Sequence, residues 1–121
     1  MTKEKKTPNA ELKRLISELK TKSIKEGKTF WKKIAKDLEK SNKNWRKVNL
    51  SRIALYTKPK DIIVVPGKVL GNGDLSHEVI VFAWKFSQQA KEKIKKMKGK
   101  ALSLRDLLNS KYKTSEVKII G

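Results

Sequence analysis

The apolar positions of this chain fall into two patterns, helical in the first third and strand-like in the middle. From Pro8 onward Leu12, Leu15, Ile16 and Leu19 recur at three- and four-residue spacing, with Lys13, Arg14, Lys20 and Lys22 mostly on other faces. That periodicity predicts an amphipathic helix opened by Thr7 and Pro8 and closed near Gly27. A second stripe, Phe30, Ile34 and Leu38 widened by Trp31 and Ala35, predicts another helix from about Thr29, ending within Ser41 to Asn44. Asp61 to Val65 is a β-branched run bounded by Lys58-Pro59 and Pro66-Gly67, which reads as a buried strand. Glu78 to Trp84 is apolar on both alternating sets, so both of its faces should be covered at the centre of the domain, with Trp84 and Trp31 in the core. Ser87 then caps a helix whose inner face is Ala90, Ile94 and Met97 and whose following residue is Gly99. Ser103 and Asp106 have capping-box spacing for a further short helix, and Leu102 with Leu107 has that of a hydrophobic staple. Val117 to Ile120 predicts a closing strand.

Charge changes this picture from a generic α/β domain to one with a polyanionic partner. Thirty-one basic against twelve acidic residues leave +19 on 121 residues, and residues 1–60 alone carry 19 basic and 6 acidic groups. Such self-repulsion is relieved by nucleic acid or an anionic surface, and the first half is the better contact surface. Lysine outnumbers arginine 27 to 4, which favours phosphate contacts over bidentate base reading. The absence of cysteine excludes disulfides and thiolate metal sites. No apolar run approaches a membrane span and Met1 to Glu11 lacks a signal-peptide core, so a cytoplasmic protein without membrane partner is expected.

Candidate chemistry narrows to RNA contact. Gly67, Gly71 and Gly73 lack the third glycine and following helix of a dinucleotide fingerprint, and Gly27-Lys28-Thr29 lacks a P-loop's earlier glycine, which is Lys22 here. Asn72-Gly73 reads as a tight turn requiring left-handed backbone angles, and a glycine loop with Lys68 beside it lets phosphate approach backbone donors. His77 is the only histidine; with Asp74, Ser76 and Glu78 on an extended segment it forms no reactive geometry and is expected to be a surface hydrogen bonder. Asp37 and Glu39 lie on a basic helix and are expected to pair with lysines. No catalytic, metal or cofactor site and no small-molecule substrate are therefore expected. Asn44-Trp45-Arg46-Lys47, followed by Asn49, Ser51 and Arg52, interleaves an aromatic with basic and small polar groups and is the best local RNA candidate. Trp45 either stacks on an unpaired base or packs between helix and core. Lys3, Lys5, Lys6, Arg14, Lys32, Lys33, Lys58 and Lys85 complete the basic contact set.

The stretch Pro66 to Ala90 and the run Val48 to Tyr56 resemble a large-subunit ribosomal protein family that joins universal protein fifteen with the archaeal and eukaryotic protein eighteen-e, the second run resembling the eighteen-e branch. Gly67, Lys68, Gly71, Gly73 and Leu75 match the shared core motif, and Asn49, Ser51 and Arg52 the eighteen-e motif. The resemblance implies an irregular superhelix of β-β-α units, here preceded by the two amphipathic helices. It also implies an archaeal-type protein that bridges ribosomal RNA segments beside neighbouring ribosomal proteins. The resulting organisation is a basic arm over 1–7, a helical pair over 8–47 and an α/β core over 48–121. The rival reading is an architectural DNA-binding protein, which the charge permits equally, although no groove-reading helix or apolar wedge is evident.

Overall fold

The computed structural model describes residues 8–40 and 45–121; the basic arm, the Thr7 cap and the segment 41–44 lie outside the described residues. Two helices come first, α1 (Pro8–Glu26) and α2 (Thr29–Leu38). Gly27 adopts φ +65° and the Lys28 N–H bonds the Ser23 carbonyl at 3.1 Å, a Schellman closure that turns the chain directly into α2. Leu15 and Leu19 of α1 and Trp31, Ile34, Ala35 and Leu38 of α2 are buried, as their spacing requires.

The rest is a five-stranded parallel sheet with helices between its strands, an α/β architecture. The elements are β1 (Arg46–Asn49), α3 (Leu50–Tyr56), β2 (Asp61–Leu70), β3 (Val79–Phe86), α4 (Gln88–Lys96), β4 (Lys100–Ser103), α5 (Leu104–Leu108) and β5 (Val117–Ile119). The main order is β1-β2-β3-β4, and β5 pairs with β2. Because β3 takes one edge of β2, β1 and β5 share the other, β5 beside Ile62–Val64 and β1 beside Gly67–Leu70. The register of β2 on β3 shifts between Val65 and Lys68, where one neighbour gives way to the other.

The central strands are covered on both sides. Ile63, Val65 and Val69 with Val79, Val81 and Ala83 form one core with Ile53, Ala90 and Ile94. Val64 and Phe82 join α1, α2 and α5 in a second core on the opposite face. Trp31 is buried in that second core, whereas Trp84 is only half-buried against it.

The caps follow the sequence. Ser87 Oγ accepts the Ala90 N–H at 3.1 Å, and Ser103 and Asp106 form a reciprocal capping box. Gly99 departs from expectation: the left-handed residue beyond α4 is Lys98, at φ +65°, and Gly99 follows it, its N–H closing on the Ile94 carbonyl at 3.0 Å. Glycine is needed there for room, since a Cβ would collide with the Val79 carbonyl oxygen. Left-handed geometry is likewise confined to Gly73 in the Asn72-Gly73 turn.

Candidate nucleic-acid interface

The register of three parallel strands sets Lys47, Lys68 and Lys85 side by side, Lys47 against Lys68 and Lys68 against Lys85. All three are exposed, and among the described residues none pairs with a carboxylate. Neighbouring strands lie about 4.8 Å apart. Two unit charges about 5 Å apart in water repel by about 1 kcal/mol, so the row holds an unrelieved field on a rigid platform. Lys85 also lies 5.8 Å from the Trp84 ring.

Beside this row the glycine loop and the segment after β1 lock together. The Asn72 N–H donates to Asn49 Oδ1 at 3.3 Å, and the Ser51 N–H donates to the Asn72 carbonyl at 3.1 Å. Lys93 closes the loop from α4, its ammonium donating to the carbonyls of Gly71 at 2.9 Å and Gly73 at 2.8 Å while lying 3.4 Å from Asp74. Gly71 is buried against Gln89, leaving no room for a Cβ. The Asn49 side chain and the Ser51 backbone N–H therefore hold the loop, while exposed Asn72 and Gly73, with the exposed Ser51 side chain, form its outer surface.

The other candidate residues divide between scaffold and surface. Trp45 is half-buried; its Nε1–H donates to the Leu38 carbonyl at 3.2 Å and its ring meets Trp84 edge-on at 6.4 Å. Arg46 Nε donates to Asp37 Oδ2 at 3.0 Å, tying β1 to α2. Arg52 reaches the Gly121 carbonyl at 3.2 Å and lies 5.1 Å from the exposed Tyr56 ring. Arg14, Lys32 and Lys33 are exposed on α1 and α2, Lys58 is exposed after α3, and Lys3, Lys5 and Lys6 lie outside the described residues.

The acid–base alternatives do not assemble. His77 Nε2 lies 2.7 Å from the Thr57 hydroxyl and Nδ1 3.2 Å from Ser76, whereas Asp74 turns to Lys93. Asp37 pairs with Lys40 and Arg46, and Glu39 with Lys20. Among the described residues no three acidic or histidine groups cluster as metal ligands, and no helix is long and apolar enough to cross a membrane.

A family profile that joins the ribosomal proteins 50S-L15 and 50S-L18e with their 60S counterpart matches residues 11–102. The chain belongs to this ribosomal protein family. Its relatives named "Large ribosomal subunit protein eL18" include that of Sulfurisphaera tokodaii, 50% identical over 80 residues, covering 66% of this chain and 68% of the relative. That of Methanothermobacter thermautotrophicus is 39% identical over 112 residues and 93% of both chains. That of Methanoregula boonei is 39% identical over 120 residues and 99% of both. These archaeal matches agree with the eighteen-e resemblance of Val48 to Tyr56, and the proteins they name are ribosomal proteins rather than enzymes. The lysine row and the glycine loop both lie inside the family match.

Sequence reasoning passed over the basic side of α4. Residues 91–100 hold six lysines against one glutamate, and Lys91, Lys95, Lys96, Lys98 and Lys100 are exposed. That charge run was the available signal. Nothing in it distinguishes Lys93, the one that clamps the loop.

Proposed function

We propose that this protein is a structural constituent of the large ribosomal subunit, in the cytoplasm, that binds and bridges ribosomal RNA segments and lies against neighbouring ribosomal proteins. The observation that carries the reading is the row Lys47, Lys68 and Lys85, three lysines aligned by strand register beside a glycine loop held in one shape by Asn49, Ser51 and Lys93. Phosphates along an RNA backbone neutralise such a row and release condensed counterions, which makes binding steeply salt-dependent. The loop adds a polar surface that needs little ordering when it meets RNA.

The test is filter binding of large-subunit ribosomal RNA to the wild type and to a K47Q/K68Q/K85Q variant across a salt series. Loss of three phosphate contacts lowers the slope of log affinity against log salt by roughly 2 to 3. An unchanged slope, or tighter wild-type binding to duplex DNA than to this RNA, overturns the proposal.

A further inference from the structure

A second basic site lies on another part of the molecule. The turn between α1 and α2 and the segment 110–114 enclose a cleft of about 520 Å³. Lys22, Lys28, Lys111 and Lys113 line it together with Trp31 and Tyr112. The carboxylate in its lining, Glu26, is already engaged by the Trp31 Nε1–H at 3.0 Å and by Lys22 at 3.3 Å. The two walls are tied together: Lys22 donates to the Leu108 carbonyl at 3.3 Å, and Lys28 to the Thr114 hydroxyl at 3.4 Å. Tyr112 is 37% exposed, and its ring is steadied edge-on by Phe82 at 6.0 Å between the exposed Lys111 and Lys113. Residues 111–113 fall outside the family match.

We propose that this cleft binds single-stranded RNA, with an unpaired base stacked on Tyr112 and the flanking phosphates at Lys28, Lys111 and Lys113. An aromatic side chain between cations is the arrangement that holds a single strand irrespective of sequence. The cleft has the volume of a small-molecule site, which suits an unpaired nucleotide. The inference rests on the RNA-binding reading above and extends it. The cleft is lined by α1, α2 and residues 110–114 and shares no lining residue with the row of Lys47, Lys68 and Lys85 on β1, β2 and β3. One molecule can therefore hold a strand in the cleft and a separate backbone on the lysine row.

The probe is a fluorescein-labelled octauridylate, titrated by anisotropy against the full chain, with large-subunit ribosomal RNA measured in parallel. Tyr112→Ala should weaken oligonucleotide binding roughly 5- to 150-fold. Tyr112→Leu, which retains an apolar contact to Phe82, should weaken it comparably, and Tyr112→Phe should restore it. K111Q/K113Q should lower the salt slope by about 1.4, and ultraviolet crosslinking should place the adduct on the peptide containing Tyr112. Wild-type binding to ribosomal RNA with either no oligonucleotide binding or an affinity indifferent to Tyr112→Leu overturns this inference and leaves the lysine row standing. Failure of the wild type to bind either RNA overturns both.

Discussion

Gly73 offers the sharpest test of the joint between the glycine loop and the segment after β1. It sits at φ +85°, and a Cβ there would come within 2.5 Å of Ser51 Cβ and 2.9 Å of the Ser51 backbone N and Cα. Gly73→Ala therefore carries two penalties: about 1–2 kcal/mol for an L-residue in left-handed geometry, and about 1–3 kcal/mol for the steric overlap. Gly27 separates them, because it has φ +65° but nothing within 4 Å of its virtual Cβ, so Gly27→Ala carries the first penalty alone. For a domain of this size 1 kcal/mol moves Tm by about 4 °C. Gly27→Ala should thus melt about 4–8 °C below wild type, and Gly73→Ala about 8–20 °C below, by circular dichroism. Ser51→Gly in the Gly73→Ala background should recover part of the difference, giving a coupling above about 0.5 kcal/mol in the double-mutant cycle. Equal losses for the two alanine variants, or no rescue by Ser51→Gly, would refute the argument that the joint is sterically closed.

Three further outcomes follow from separate parts of the molecule. Lys98→Gly should raise stability by about 0.5–1 kcal/mol in urea unfolding, because it relieves a left-handed non-glycine residue at the end of α4. Asp61 accepts the Lys58 N–H at 2.9 Å and the Lys118 ammonium at 3.1 Å; the backbone donor first, then the lysine, hold its carboxyl below the usual range despite partial burial. Its contribution is whole above about pH 4, the unfolded value, and is lost as pH falls through the lower folded value. Asp61→Asn should therefore be about 1 kcal/mol less stable at neutral pH, and the gap in thermal melts should close on acidification. Trp45→Phe removes the donor to the Leu38 carbonyl and should cost about 1 kcal/mol by equilibrium unfolding.

Legibility in the sequence tracked how much of each element's stability is local. The helices α1, α2 and α4, the strand β3 and the first half of β2 announce themselves because their apolar spacing matches their own period, and α5 because its capping box is written in four residues; β2 does not stop at Pro66-Gly67 as its β-branched run predicts but continues to Leu70, where β1 pairs with it. The strand β1 does not. Arg-Lys-Val-Asn carries one apolar side chain and becomes a strand because β2 offers a free edge at Gly67, where any Cβ would strike the Arg46 carbonyl oxygen. The candidate site shares this limit. Lys47, Lys68 and Lys85 can each be named from composition, but their alignment exists only once two parallel registers and the shift after Val65 are fixed. Asn49 and Arg46 have the side chains of contact residues, whereas Asn49 Oδ1 accepts from Asn72 and Arg46 Nε donates to Asp37 inside the protein. Side-chain type marks a group as capable of meeting phosphate and does not reveal which internal partner reaches it first.

The shared outer edge of β2 imposes an order on synthesis. β3 can dress one side of β2 as soon as Phe86 has been made, yet the stretch Ile62–Val64 has no strand on its other side until Val117–Ile119 arrives. Over that interval a nascent chain exposes a short row of unpaired β-branched backbone, the kind of edge that recruits a wrong partner. The late strand also brings Gly121 against Arg46 and within reach of Arg52, so the same docking event that protects the edge fixes two cations beside the lysine platform.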